Sequence, residues 1–480
     1  MITGDYTERK RKAKSGKMVT DKVVKSTTGV EYAIGKKLGA GGVAKVFRAR
    51  RLSDKKECVF KEYVPSPENR RTHNAIKKNI QNLMQKPLTD DDGVTPLRSF
   101  IGPMDKDSLI DLPASKSFGY IMELVDTKAF LPVPRLRHQG TYPDADILCK
   151  ACTNIAHHFK RVHFRGLCYK DINRDNIYIN NKTGDIRIID CDNIGVQSVR
   201  TITGTEGFIA PEVYVTNTPD TYTDYFSMAV LFYFIFVGGD PLYGKKVRDY
   251  LIKNNLSVTE AKSTIYGTMA QFAFDPKDRS NEIRGLIDPL NPNLYAIQTK
   301  CWDRLPPEIQ NGFIKTFSTG LTNNNRHKRA TDRDWIKIFD SLQSHGFARC
   351  RCGRVNFADA QGKAKCIFCK AQLPPPPPPT HELTTVVFRA KRDIAPTHLA
   401  IEAKRKQQLQ GQAIYPGLNE GWMRIEYSKK RNMLAAVNMS RYTWIVSGAP
   451  CAPGERVAIK KGMVITVLRR QLQLTVVEIK

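Results

Sequence analysis

Four side chains in this sequence have the types and spacing to transfer a phosphoryl group. Asp171 and Asn176 stand five residues apart in Tyr169-Lys170-Asp171-Ile172-Asn173-Arg174-Asp175-Asn176, and Asp190 follows nineteen residues after Asp171. Carboxylate and amide oxygens are hard ligands of the kind that suit Mg²⁺ (or Mn²⁺). Asn176 and Asp190 could therefore hold a metal on a polyphosphate while Asp171 accepts a hydroxyl proton. Lys61, in Cys58-Val59-Phe60-Lys61, supplies a cation for the phosphates. The chemistry asks for in-line positioning, charge neutralisation and a proton acceptor, with little covalent work by the protein. A second group is Cys350, Cys352, Cys366 and Cys369, two close pairs thirteen residues apart. That is ribbon spacing for a closed structural Zn²⁺ site, with a redox dithiol as the alternative; Gly353 allows the tight turn after the first pair.

These groups need elements to position them. Leu38-Gly39-Ala40-Gly41-Gly42-Val43-Ala44-Lys45-Val46-Phe47 reads as a strand, a glycine turn and a strand. Glycine lets backbone N–H groups close over phosphate where a Cβ would collide. Lys61 falls in the next β-rich run. Ile76, Ile80, Leu83 and Met84 then share one helical face. Gly119 to Val125 reads as a buried strand. Ile147, Ala151, Ile155, Phe159 and Val162 form a second helical stripe that ends at Gly166 and feeds the Asp171 loop. His157, His158 and His163 beside it read as surface or packing residues and not as metal ligands.

In this order the segments resemble a bacterial, eukaryotic-like Ser/Thr protein kinase over about residues 30–345. The family's patterns are a glycine loop, a strand lysine, H-R-D-x-x-x-x-N, D-F-G and A-P-E. The resemblance implies an α+β, bilobal fold with ATP and Mg²⁺. Asp171 would be the catalytic base, Lys61 the contact to the α- and β-phosphates, and Asn176 and Asp190 the metal ligands. Gly39, Gly41, Gly42, Val46, Met122, Glu123 and Val125 would line the nucleotide site, with Met122 as gatekeeper. Ala210-Pro211-Glu212 matches A-P-E, with Arg329 as the partner of Glu212, and Asp224 would hold the catalytic-loop backbone. Ser198, Thr201, Thr203 and Thr205 are candidate phosphosites, and Thr205 also resembles the threonine that bridges the base to the substrate platform. A protein substrate follows from the A-P-E triplet and its arginine.

The departures matter as much. Ala44 replaces the third glycine. No acid lies between Arg70 and Lys86, where the family's helix carries a glutamate for the lysine; alignment puts Asn79 there, with Glu68 as a substitute. Tyr169 and Lys170 replace His and Arg, and Lys170 lacks the bidentate fork that grips an activating phosphate. Asn173 stands where a lysine contacts the γ-phosphate, a task that would pass to Arg174 or another group. Cys191 and Asp192 replace the Phe and Gly of D-F-G, the second carboxylate being able to adjust the metal site. The segment Asp275 to Leu305 is unassigned.

Behind the kinase-like region, Pro374 to Pro379 reads as a stiff spacer. From Thr384 onward the chain is β-rich; Leu472, Leu474 and Val476 alternate with polar residues as in a half-buried strand. Asn438 to Trp444 and Pro453 to Ile465 resemble forkhead-associated sandwich domains, without their phosphothreonine-binding signatures. The expected layout is a basic disordered leader (1–27), an N-lobe and hinge (28–125), a C-lobe (126–345), a zinc ribbon (346–373), a Pro-rich linker (374–383) and an all-β domain (384–480). This layout resembles kinases of bacterial stress operons such as tellurite resistance, which implies a PPM-type phosphatase and other operon proteins as partners.

Bulk properties set limits. The formal charge of +29 places +5 on residues 1–27 and +15 on residues 346–480, so an acidic partner for the tail is a further expectation. The longest apolar run, Tyr225 to Val237, contains Ser227 and falls short of the roughly 20 residues of a membrane helix. With no hydrophobic leader, the expectation is a cytoplasmic protein without membrane insertion. Seven of the eleven cysteines (Cys58, Cys149, Cys152, Cys168, Cys191, Cys301, Cys451) are scattered and read as buried small hydrophobes. The alternatives to an active kinase are a nucleotide-binding pseudokinase scaffold and a basic nucleic-acid-binding regulator.

Overall fold

The computed structural model describes residues 5–12, 15, 18–41, 43–64, 70–89, 97, 99–103, 107–138, 140–196, 204–216, 218–288, 291–342, 346–359, 364–374, 383–390, 397–402, 407–410, 421–428, 433–440, 442–460, 463–467 and 472–479. Gly42, Glu68, Ser198, Thr201, Thr203 and Pro375 to Pro379 lie outside the described residues.

The first lobe is a seven-stranded antiparallel sheet. It comprises β1 (Thr7–Lys12), β2 (Met18–Lys25), β3 (Glu31–Ala40), β4 (Ala44–Arg51), β5 (Glu57–Tyr63), β6 (Leu109–Leu112) and β7 (Ser117–Glu123), in the order β1-β2-β3-β4-β5-β7-β6. Helix α1 (Arg70–Gln85) covers one face, where Ile76 and Ile80 join Val59, Tyr63, Phe118, Tyr120 and Met122 in one apolar cluster. The other face buries Val24, Tyr32, Ala49, Cys58, Phe60, Ile110 and Ile121. The alternation in β5 therefore feeds two cores at once and fixes which way Lys61 points.

Strands β1 and β2 lie within the segment expected from sequence as a disordered leader. They extend the sheet, with Thr7 opposite Val23 and Val24 opposite Tyr32. β1 is exposed along its length, so it carries no apolar period to betray it. What orders it is the open hydrogen-bonding edge of its neighbour, helped by Arg9 with Glu31 (3.3 Å) and Arg11 with Asp21.

The second lobe is helical. After β8 (Leu131–Pro132) come α2 (Ala145–Phe164), β9 (Leu167–Cys168), β10 (Ile177–Ile179), β11 (Ile186–Ile188) and β12 (Gly195–Val196). Then follow α3 (Val213–Thr216), α4 (Thr221–Phe236), α5 (Lys245–Asn254), α6 (Val258–Ser263), α7 (Leu294–Asp303), α8 (Pro307–Ile314) and α9 (Asp332–Ser341). Helix α4 starts at a capping box in which Asp220 accepts from the Thr223 N–H. It is apolar nearly all round and accordingly buried, with α2 and α9 in the same core. The segment unassigned from sequence folds into this lobe: Phe274 stacks on Trp302 at 4.7 Å, and Arg284 pairs with Asp303. His157 and His158 are buried, so packing is the part of their reading that holds.

Strands β13 (Phe347–Arg349) and β14 (Val355–Phe357) make a short hairpin whose Phe347 and Phe357 pack on the helical core. The remaining strands are β15 (Leu383–Ala390), β16 (Thr397–Glu402), β17 (Gln407–Gln410), β18 (Gly421–Ser428), β19 (Met433–Asn438), β20 (Trp444–Val446), β21 (Ala449–Cys451), β22 (Arg456–Ala458), β23 (Val464–Val467) and β24 (Leu472–Ile479). They form two antiparallel sheets, β16-β15-β24-β23-β20-β21 and β17-β18-β19-β22. Buried Asn438 organises their junction: its amide donates to the Tyr442 and Cys451 carbonyls, and its oxygen accepts from the Ser440 hydroxyl at 2.7 Å. Among the described residues no helix is long and apolar enough to cross a membrane.

Candidate active site

The sheet of the first lobe and the β10–β11 hairpin of the second bring the predicted residues to one cleft. Lys61 projects from β5, buried, with its ammonium 3.0 Å from an Asp190 oxygen and 3.1 and 3.0 Å from both oxygens of Asp192. Burial opposes the ammonium, but Asp192 and Asp190 carry its pKa well above the usual lysine range. Asp190 adopts a left-handed backbone (φ 58°), a conformation that Asp tolerates better than most residues, and opens the helical turn Cys191–Asn193. The Asp192 carboxylate also accepts from the hydroxyls of Tyr63 and of Tyr120, the latter at 3.2 Å.

Asn79 is not beside the lysine. Its amide packs against Gly195, next to the Lys170 ammonium, while the α1 face toward Tyr63 and Tyr120 is the apolar one of Ile76 and Ile80. Asp192 is the residue that sequence reasoning missed: it was read toward the metal and turns toward the lysine. The signal was available as a second acid in Asp190-Cys191-Asp192 combined with a helix lacking any acid.

The catalytic loop is knitted around Asp171. Its carboxylate accepts from the Asn173 amide (3.0 Å), the Asn176 amide (3.2 Å) and both the N–H and the hydroxyl of Thr205 (3.1 Å each). Burial, reinforced by the charge of Asp190, holds the Asp171 carboxyl above its ordinary range, and these donors only partly offset it. A more basic carboxylate is a better acceptor for a hydroxyl proton. Asn173 also accepts from the N–H groups of Asp175 and Asn176. Arg174 lies across the Phe234 ring, 4.9 Å from its centroid. Since the Thr205 hydroxyl donates to Asp171, a phosphate there would face the Asp171 carboxylate; bridging is the role its geometry suits.

The loop is braced from behind. Asp224 in α4 accepts from the N–H groups of Tyr169 (2.6 Å) and Lys170 (3.0 Å). Its third partner is His163, buried between Asp224 (3.1 Å) and Asp332 (3.0 Å). Burial disfavours the imidazolium, but the two carboxylates lift the His163 pKa to about 9. Arg329 grips Glu212 in a bidentate pair of 2.8 and 2.7 Å with both side chains buried, and donates to the carbonyls of Gly320 and Tyr222. Among the described residues the Lys170 ammonium has no hydrogen-bond partner.

At the nucleotide end, Gly39 and Gly41 are exposed, and a Cβ built on either would meet nothing within 4 Å. Their neighbours in the fold do not require glycine. Val46 pairs with Lys61, and Met122 is buried beside Val59 at the start of the segment joining the lobes. Glu123 is exposed and Val125 half-buried there.

The four tail cysteines also converge. Their sulfurs lie within 4.8 Å of one another, with Cys350 to Cys369 at 3.5 Å and Cys352 to Cys366 at 3.8 Å, and none is in a disulfide. Four thiolates around one zinc ion at about 2.3 Å would stand about 3.8 Å apart. Although burial alone would raise it, N–H groups of Cys369 and Phe368 and the Asn356 amide lower the Cys366 thiol to about 6. The scattered Cys58, Cys149, Cys152, Cys168, Cys191 and Cys451 are buried, and Cys301 is partly so.

Comparison with known proteins places this geometry in a family. Serine/threonine-protein kinase Nek5 of Homo sapiens is 22% identical over 228 residues, covering 46% of this chain and 30% of the relative. Serine/threonine-protein kinase PLK1 of Xenopus laevis is 22% identical over 290 residues, covering 58% and 45%. The cGMP-dependent protein kinase 2 of Mus musculus is 29% identical over 114 residues, covering 23% and 15%. The match thus spans less than half the length of each of these curated relatives. The autoinhibited serine kinase domain of the giant muscle protein titin superposes with a TM-score of 0.44 at 14% identity, covering 64% of this chain and 78% of that one. Residues 32–339 match the protein kinase domain, and the chain belongs to that family.

Proposed function

We propose that the chain is an ATP- and Mg²⁺-dependent protein kinase that phosphorylates Ser or Thr of protein substrates, itself included. The observation that carries this reading is the Asp171 carboxylate held by Thr205 and Asn176 in the cleft where Lys61 meets Asp190. In this reading Asn176 and Asp190 hold the metal, which would neutralise the phosphate oxygens. Asp171 orients the substrate hydroxyl and takes its proton. Lys61 positions the α- and β-phosphates under Gly39 and Gly41, and the adenine lies by Met122, Glu123 and Val125. The serine/threonine-protein kinase relatives support the choice of hydroxyl.

The reading extends to Zn²⁺ at Cys350, Cys352, Cys366 and Cys369, supported by the sulfur spacing. It extends also to a β-sandwich scaffold in the tail, supported by the two antiparallel sheets. A cytoplasmic bacterial stress-response setting beside a PPM-type phosphatase rests on the order of modules. Phosphotransfer from [γ-³²P]ATP with Mg²⁺ tests the core claim. Wild type should label itself or a generic substrate, and Asp171→Ala or Asp190→Ala should lower the rate by about 10²–10⁴-fold. A wild type no better than these variants would replace the enzyme with a nucleotide-binding scaffold.

A further inference from the structure

Lys61 has two carboxylates within hydrogen-bond distance, and they differ in setting. The Asp190 side chain is 33% exposed and borders the open cleft; the Asp192 side chain is 3% exposed and closed in on every side by donors. Those donors are the Lys61 ammonium, the Tyr63 hydroxyl and the Tyr120 hydroxyl, all from the sheet of the first lobe. Asp192 itself belongs to the segment of the second lobe that follows β11. Of the two, Asp190 is the carboxylate open to a metal recruited to the cleft. Helix α1 offers the lysine no carboxylate, since the face nearest Tyr63 and Tyr120 presents His73, Ile76 and Ile80 and the Asn79 amide lies near Gly195.

We infer that Asp192 is the positioning residue of Lys61, taking the task of the absent helix carboxylate and latching the two lobes together through Lys61, Tyr63 and Tyr120. The inference rests on the phosphotransfer reading of the cleft. Its consequence is a lysine aimed before nucleotide arrives. A lysine held by a helix is released when that helix swings away. Here the anchor lies two residues from Asp190, so the lysine and that residue are aligned by one turn of chain and α1 has no carboxylate to withdraw. Tyr63 and Tyr120 make the site specific for an acid: a glycine at 192 would strand two buried hydroxyls and the ammonium, each costly to leave unpaired.

Binding by calorimetry tests this without turnover, using MgADP, which carries the two phosphates expected at Lys61, and adenosine, which carries none. Asp192→Asn should weaken MgADP by about tenfold or more and adenosine by less than about twofold. In a Lys61→Met background the same Asp192→Asn change should alter MgADP binding by less than about twofold, because the side chain it acts through is gone. Without ligand, Lys61→Met should lower the thermal midpoint by stranding a buried carboxylate, and adding Asp192→Asn should recover much of the loss. Equal weakening of both ligands, or the same loss with and without Lys61, would reduce Asp192 to a fold residue and overturn the inference. Should Asp192→Asn fail to fold, Tyr120→Phe takes its place, and unchanged MgADP affinity would overturn the latch. A wild type that binds both ligands and transfers phosphate while lacking this pattern defeats the inference alone. A wild type that binds neither defeats the kinase reading with it.

Discussion

At the scale of single residues, two buried charges behind the catalytic loop decide how firmly it is held. His163 is cationic because Asp224 and Asp332 flank it, and its pKa of about 9 lies above the roughly 6.5 of an unfolded chain. A group raised on folding stabilises fully below its unfolded pKa, and the contribution disappears as pH rises through the folded value. The thermal midpoint should therefore fall between about pH 7 and pH 9.5, by an amount corresponding to at most roughly 3 kcal/mol. His163→Gln should be less stable than wild type at pH 6.5 and lose less over that range; parallel curves would show that His163 is neutral. Arg329 is simpler. Its bidentate pair with Glu212 is fully desolvated, so Arg329→Leu leaves a buried carboxylate and should cost about 3–5 kcal/mol in urea unfolding, whereas an exposed pair would cost under about 1. Glu212 and Arg329 were both identifiable from sequence, since A-P-E and Arg-Ala-Thr are recognisable in order. His163 was not: its two acids lie 61 and 169 residues away.

At the scale of elements, the extra strands of the first lobe carry a testable load. β2 buries Val23 and Val24, and Val24 sits in the outer core with Tyr32 and Phe60. A chain starting at Thr28 loses that contact and exposes the edge of β3. Burial of one such side chain is worth roughly 1.5–3 kcal/mol, so the truncated protein should melt several degrees lower and expose more apolar surface to a hydrophobic dye. An unchanged midpoint would return residues 1–27 to the status of a leader. The elements around the site were largely legible, because α2 and the strand of Lys61 have clean periods of 3.6 and 2. β1 was not: an all-polar strand has no period to read, and only its neighbour's open backbone makes it one.

At the scale of the whole molecule, the cysteine cluster is joined to the kinase fold and does not hang from it. Arg354, between the two cysteine pairs, is ion-paired with Asp144, donates to the Tyr142 carbonyl at 2.6 Å and lies 3.5 Å over the Phe368 ring. Asp144 stands at the N-cap position of α2, the helix that feeds the Asp171 loop. Removal of the zinc proposed at these cysteines should thus be felt in the second lobe. Cys366→Ser, or dialysis against a strong chelator, should release about one zinc per chain by mass spectrometry of metals and lower the main thermal midpoint. Loss of zinc with an unmoved midpoint would show an independent module. The docking was invisible in the sequence, since Asp144 and Arg354 are 210 residues apart and neither belongs to a motif.

What the sequence determined by itself is what depends on local order: Asp171, Asn176 and Asp190, proposed here as base and metal ligands, the strand lysine, the glycine turn and the four thiols. Each is a short-range pattern, and short-range patterns survive as text. The tertiary structure decided which partner each charge chose. Lys61 took Asp192 over any residue of α1; His163 found two acids from α4 and α9. A buried charge must be paired wherever the fold places it, and the fold brings together residues that no spacing rule connects.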